Sequence, residues 1–210
     1  MGSGGVVTGE MVRRGDYYWP ASDEWCWKVI RGELSDLDAA VRLCRGRGLA
    51  VQAGGNVGVW ANHLARTFEQ VVTVEPERTN YECLRRNAVA NVTHLRAAFS
   101  DAPGFVGMEM VDGNAGAHWI SGDGSILKMT IDSFDLPACD LLVLDVEGSE
   151  YHALVGAKET IERYGPVIHI EEKGLGEAYF GLPKQAARRW LEGIGYRVVA
   201  KKRRDLILTR

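Results

Sequence analysis

Short apolar runs bounded by turn residues recur along this chain at positions 49–53, 71–74, 93–97, 141–144 and 167–170. Each has the length of one buried strand, and none alternates strictly between apolar and polar. Between several of them the apolar positions fall three or four apart: Trp60, Leu64 and Phe68, then Tyr81, Leu84 and Ala88, then Leu154, Ile161 and Tyr164. That spacing predicts helices, including one over about 149–164. Continuous apolar strands alternating with helices predict an α/β fold: a doubly wound, mostly parallel sheet covered on both faces.

The end of the chain departs from this rhythm. A helix over about 183–191 gives way at Gly193 and Gly195, and 196–200 and 205–209 read as two strands of an antiparallel hairpin. Residues 100–132 are irregular. Met108, Met110 and Val111 suggest a strand, 127–131 another, with turn chemistry at Asp112-Gly113-Asn114 and Gly122-Asp123-Gly124. They are expected to form an insertion between the third and fourth core strands. Residues 1–48 are expected to be a helical, aromatic segment ahead of the main unit, 49–210. Its Tyr17, Tyr18, Trp19, Trp25 and Trp27 either wall an acceptor site as a lid or pack a helix onto the sheet. Met1 to Gly5 read as a flexible tail.

Composition narrows the class little. The 210 residues are 46% hydrophobic and 25% charged, with a formal net charge of -3, which gives no general attraction to nucleic acid or an anionic membrane. The one basic run, Lys201-Lys202-Arg203-Arg204, reads as a solvated turn. Four scattered cysteines lack metal-ligand spacing and imply a reducing compartment. No apolar run approaches the ~20 residues that span a bilayer, and the first residues are no signal peptide. A cytoplasmic protein is expected, its oligomeric state open.

The first chemical signal is Val51-Gln52-Ala53-Gly54-Gly55-Asn56-Val57-Gly58, where a predicted strand turns into a predicted helix. Glycines there let the backbone pass close to a ligand. The pattern is neither GxGxxG nor a P-loop. The second is the strand ending in Glu75-Pro76, whose carboxylate is placed to accept both ribose hydroxyls of an adenosine. Together they predict an adenosine-containing cofactor, and both NAD and S-adenosylmethionine qualify.

The third signal is Asp145-Val146-Glu147-Gly148-Ser149-Glu150 after the strand 141–144. Asp145 and Glu147 share a face if the strand geometry persists, as do His169 and Glu171 on the next strand, while Glu150 belongs in the first helical turn. This segment, followed by Leu154-Val155-Gly156-Ala157 and Pro166-Val167-Ile168-His169-Ile170-Glu171, resembles the FkbM family of methyltransferases. So do the glycine loop, Glu75-Pro76 with Asn80, Leu84 and Asn87, and Asp132-Ser133-Phe134; the resemblance runs from about Val51 to the C-terminus.

The resemblance implies a seven-stranded, Rossmann-like class I methyltransferase fold with a reversed last strand. It also implies S-adenosyl-L-methionine as methyl donor and, usually, a hydroxyl oxygen as acceptor. By the same analogy Gly54, Gly55, Asn56 and Gly58 border the methionine portion, Glu75 and Pro76 the ribose, and Ala98 and Phe99 the adenine. Gln52 stands where the family usually has an acid, and its carbonyl is expected to accept the cofactor's amino group without charge assistance.

Methyl transfer to an alcohol needs an aligned acceptor and a proton acceptor. Asp145 is the first candidate, with Glu171 and His169 next. Asp145, Glu147 and Glu171 could instead hold a divalent cation such as Mg, and His169 could be a core histidine. A sugar, glycan or small metabolite is the expected acceptor. The alternatives are an S-adenosylmethionine-binding protein without catalysis and an NAD-dependent oxidoreductase.

Overall fold

The apolar runs become a seven-stranded sheet in a computed structural model that describes residues 9–210; the expected tail at Met1 to Gly5 lies outside them. Chain order begins with a hairpin, β1 (Met11–Arg14) and β2 (Tyr17–Pro20), then a single helical turn α1 (Cys26–Val29), a 3-10 turn (Ile30–Glu33) and α2 (Leu34–Leu43). The wound core follows as β3 (Leu49–Ala53), α3 (Val59–Leu64), β4 (Gln70–Val74), α4 (Arg78–Asn87) and β5 (Val92–Leu95). An inserted sheet is made of β6 (Ala98–Phe99), β7 (Gly104–Glu109) and β8 (Trp119–Met129). The core resumes with β9 (Leu141–Leu144), α5 (Glu150–Val155), α6 (Lys158–Tyr164) and β10 (Val167–Glu171). It closes with α7 (Leu175–Phe180), α8 (Ala186–Gly193), β11 (Arg197–Lys202) and β12 (Asp205–Thr209).

The main sheet runs β11-β12-β10-β9-β3-β4-β5. Every pair from β10 to β5 is parallel, whereas β12 is antiparallel to both β10 and β11. The strand order reverses between β3 and β9, so the loops after those strands diverge and leave a crevice at their C-terminal ends. Helices α2, α3 and α4 pack Leu37, Ala40, Trp60, Leu64 and Cys83 on one face. Helices α5, α6 and α8 pack Leu154, Ile161 and Leu191 on the other. Burial on both faces explains why the strands are apolar without alternation.

Several expectations are corrected. The N-terminal segment is not wholly helical: Gly15 at φ 64° followed by Asp16 turns β1 back onto β2, a two-residue hairpin turn that needs a residue at positive φ. Asn87 of α4 fixes that hairpin, accepting from Tyr18 N at 2.8 Å and donating to Tyr18 O at 2.9 Å. The helix expected over 149–164 is two helices. A Cβ on Gly156 would lie 2.0 Å from Ser100 O, so the chain passes there as bare backbone and α6 starts afresh at Lys158. The sequence pattern did not point to α7. Gly122-Asp123-Gly124 joins no two strands; it lies inside β8, where the register with β7 jumps from Ser121 to Ile126. No helix among the described residues is long and apolar enough to cross a membrane.

Candidate active site

The crevice holds a cavity of about 500 Å³, within the range that takes a small-molecule ligand. One end is built from the loop after β3. Gly54 has φ 82°, and a Cβ there would sit 2.0 Å from the Asp145 carbonyl oxygen, so only glycine lets these two strand ends lie together. Gly58, at φ 91°, starts α3 against Leu84. Glu75 is buried at the tip of β4, its Oε2 accepting from Asn56 N at 2.7 Å and its Oε1 from Glu77 N at 2.9 Å. Burial pushes its carboxyl up to about 7, against the lowering effect of those two amide bonds. Gly55, Asn56, Pro76, Asn80, Ala98 and Phe99 line the same end.

A cover closes over this end. Residues 111–118, between β7 and β8, contribute Val111, Asn114, Ala115, Gly116, Ala117 and His118 to the wall. Asn56 Nδ2 and Asn80 Nδ2 both donate to Ala115 O, at 3.0 and 2.7 Å. Asn80 Oδ1 is left buried with no hydrogen-bond partner. An orphaned amide carbonyl on a cavity wall is an acceptor held ready for a ligand's donor.

Gln52, expected to meet the cofactor's amino group, borders the cavity. It is buried within the sheet, its Oε1 accepting from Thr73 Oγ1 at 3.1 Å and its Nε2 donating to Gly54 O at 3.1 Å. Nε2 thus holds the glycine loop, and Oε1 ties the side chain to β4.

The opposite end is ionic. Asp145 directly follows β9, Glu147 sits in the next turn at φ 49°, and Glu171 ends β10; one carboxylate oxygen from each lies within 4.8 Å of the others. Lys173 stands between them, its Nζ 2.9 Å from Glu147 Oε1 and 2.7 Å from Glu171 Oε2. Burial and the charge of Asp145 hold the Glu171 carboxyl far above the usual carboxylate range, and it shares a hydrogen bond with Asp145. Burial alone would lower the Lys173 ammonium, but Asp145, Glu147 and Glu171 together outweigh it and keep it charged. Burial, then Asp145, raises Glu147 as well. Glu150 opens α5, its Oε1 accepting from Gly148 N and Val146 N.

The structure does not bring His169 to this cluster. Its ring is fully buried in the sheet, edge-on to Trp60 at 5.9 Å between centroids, with Asp205 Oδ2 3.7 Å from Nε2. Burial pushes it down to about 4, so it is a neutral core histidine and does not line the cavity.

Sequence reasoning missed Lys173 and Glu33, which line the cavity, and Tyr179 of α7, whose ring stacks on Trp119 at 4.2 Å. Asn80, named there only within the family motif, and Arg204, read as part of a solvated turn, line it too. Lys173 stands two positions beyond a strand that ends in a carboxylate, a pattern that gains meaning only beside Glu147. Of the N-terminal aromatics, Trp25 lines the mouth, whereas Trp19 is core.

A glycine loop after the first core strand, a carboxylate after the second and a reversed last strand define a class I methyltransferase fold. The methyltransferase FkbM domain family matches residues 52–198, and the chain belongs to that family. Solved structures agree in fold. The methyltransferase FkbM of Methylobacillus flagellatus superposes with a TM-score of 0.54 at 17% identity, over 89% of this chain. The chain spans 60% of that protein's length. The Streptococcus mutans protein SMU.1697c, solved in complex with SAH, gives 0.55 at 12% identity over 84% of this chain and 96% of its own. An rRNA methylase from Streptococcus thermophilus gives 0.51 at 10% identity, over 84% and 94%. None of the curated proteins compared with the chain matches it.

Proposed function

We propose that this chain transfers the methyl group of S-adenosylmethionine to a hydroxyl of a small-molecule or carbohydrate acceptor. The residues fit the donor: Gly54 and Gly58 clear the backbone, Glu75 and the unpartnered Asn80 Oδ1 offer acceptors, and Ala98 and Phe99 offer an apolar slot. Bound there, S-adenosylmethionine supplies an electrophilic methyl carbon on a sulfonium. The observation that carries the reading is the Asp145–Glu171 pair at the far end of the same cavity.

Glu171 keeps a proton and donates it in a hydrogen bond to Asp145, which orients that carboxylate. An acceptor hydroxyl against Asp145 gives up its proton to the carboxylate as its oxygen forms the new bond to carbon and the carbon–sulfur bond breaks. Lys173 balances the charge of Glu147, lies 2.7 Å from Glu171 Oε2 and closes the wall.

Asp145, Glu147 and Glu171 also have the donor chemistry and spacing for a divalent cation such as Mg. The Lys173 ammonium already lies in hydrogen-bonding range of two of the three, so a metal would have to displace it. We therefore read the reaction as metal-independent. The acidic lining (Glu33, Asp145 and Glu147 against Lys173 and Arg204) favours a small acceptor over nucleic acid. Four unpaired, buried cysteines support a cytoplasmic setting.

Calorimetry with S-adenosylhomocysteine and with NADH tests the donor, and an acceptor panel with labelled methyl donor tests the transfer. Binding of the first alone, with turnover unchanged by EDTA, is expected. NADH binding in its place sinks the reading, and loss of turnover in EDTA overturns the metal-independent step. Lys173→Ala is expected to create a divalent-cation site that the unaltered chain lacks, seen as Mn²⁺ binding by calorimetry.

A further inference from the structure

Asp23 belongs to no strand or helix and touches neither the glycine loop nor the acid cluster, yet it is 1% exposed. Its carboxylate joins two parts of the cavity wall that are distant in sequence. Oδ1 accepts from Cys26 N at 3.1 Å and Oδ2 from Trp27 N at 2.9 Å, which holds the start of α1. Oδ1 also accepts from Ala115 N at 3.0 Å, in the cover over the cofactor end. Glu24 N adds a bond to Gly113 O at 2.7 Å, and a Cβ on Gly116 would meet Cys26 Sγ at 3.0 Å, so the two segments are in close contact. Arg14 of β1 is its countercharge, 3.5 Å from Oδ2.

Both segments wall the cavity, and α1 meets the glycine loop as well, Asn56 Nδ2 lying 3.7 Å from Cys26 Sγ. Ala115 O receives Asn56 and Asn80, and Asn56 N in turn binds Glu75. A run of hydrogen bonds thus leads from the Glu75 carboxylate through Asn56 and Ala115 to Asp23. From Asp23 it enters α1, whose Cys26 and Val29 line the cavity together with Trp25 just ahead of the helix. Trp25 and Val29 are 61% and 51% exposed. A helix of one turn is not stable by itself, so α1 depends on what binds its first amides.

We propose that Asp23 is a positioning residue that ties the cover at 111–118 to the α1 wall, so that a nucleoside ligand at Glu75 orders both together. This rests on the cofactor reading above. The two walls are then coupled: the donor fixes the cover, and the cover, through Asp23, fixes Trp25 and Val29 before the acceptor enters. Coupling of this kind needs only that each partner order the same segment.

Hydrogen exchange and calorimetry on the full chain test it, with three variants. Asp23→Ala removes every bond of the carboxylate. Asp23→Ser keeps an oxygen for the α1 amides but is too short to reach Ala115 N. Arg14→Met removes the countercharge, together with its bonds to the Asp23 and Ala21 carbonyls, and leaves the carboxylate's own bonds to Ala115 and α1 in place. In ligand-free protein, amides 113–117 are expected to exchange about tenfold faster in Asp23→Ala and Asp23→Ser than in the unaltered chain or Arg14→Met. S-adenosylhomocysteine should protect both 113–117 and 26–29 in the unaltered chain, and bind about tenfold more weakly to the two Asp23 variants. Asp23→Ser should regain the melting temperature lost in Asp23→Ala without regaining affinity. If it regains affinity too, Asp23 merely holds α1 and the tie is refuted. Protection confined to 113–117 refutes it as well. Failure of S-adenosylhomocysteine to bind the unaltered chain would instead count against the functional reading, while the ligand-free exchange rates still judge the tie.

Discussion

Asp145 and Glu171 stand side by side where adjacent parallel strands end, and the proposed transfer gives them different roles. Glu171, raised by burial and by Asp145, is the member that keeps the proton. A glutamine at 171 reproduces a neutral side chain with a donor N–H, so Glu171→Gln is expected to keep most of the methyl-transfer rate, whereas Glu171→Ala loses the orienting bond. Asp145→Asn removes the proton acceptor and should lower turnover by about 10²–10⁴-fold with little change in S-adenosylhomocysteine affinity. Equal losses for Asp145→Asn and Glu171→Gln would contradict the assignment. The residues proposed for this chemistry were legible because a carboxylate at the C-terminal end of an apolar run stands out in sequence. His169 was misleading for the same reason. Strand period puts it on the face of Glu171, but one step back along the strand direction that face is already core, under Trp60. Lys173 was hidden because its meaning depends on Glu147, 26 positions away. Asp23 was hidden likewise, since Ala115 lies 92 positions on.

At the scale of elements, the strands of the wound core were readable and the pieces around them less so. β3, β4, β9 and β10 are apolar on both faces because helices cover both, and such runs occur in few other settings. The hairpin β1–β2 and the helix α7 have no such pattern. α7 buries none of its residues, and Arg13, Arg14 and Tyr17 of the hairpin read as easily as polar loop. Length alone could not place the break between α5 and α6 either, because Gly156 is compatible with a continuous helix until Ser100 O is seen beside it. Gly156→Ala tests that contact. A methyl group 2.0 Å from a backbone carbonyl forces α5 and the segment after β6 apart. The cost should be on the order of 2 kcal/mol or more, read from denaturant midpoints at unchanged m-value. Because residue 99 of β6 lines the cavity, the same variant should weaken S-adenosylhomocysteine binding. Stability and affinity both at the level of the unaltered chain would show that the strand and helix can separate freely.

Over the whole molecule, buried carboxylates gather beside the crevice from the loop after β4, from α5 and from the antiparallel β12, and that concentration has a consequence for stability. Burial is the largest cause in each case, raising Glu75 to about 7, Glu150 to about 7 and Asp205 to about 7. A carboxyl whose folded value is raised binds its proton more tightly in the native than in the unfolded chain. Its stabilising contribution is therefore complete below the unfolded value, 4.5 for the glutamates and 3.8 for the aspartate. It is lost as pH rises through about 7, the reverse of the usual salt-bridged acid. Glu150 is the best place to measure the effect, since it does not line the main cavity. Both amides that bind it meet the same oxygen, Oε1, which a glutamine retains. Glu150→Gln should therefore match the unaltered chain near pH 5 and exceed it progressively toward pH 8, by on the order of 2 kcal/mol at the upper end. Urea unfolding at a series of pH values reads this difference directly. A constant offset between the two chains from pH 5 to 8 would mean that Glu150 titrates alike in the folded and unfolded states. The gathered carboxylates would then exert no proton-linked strain on the fold.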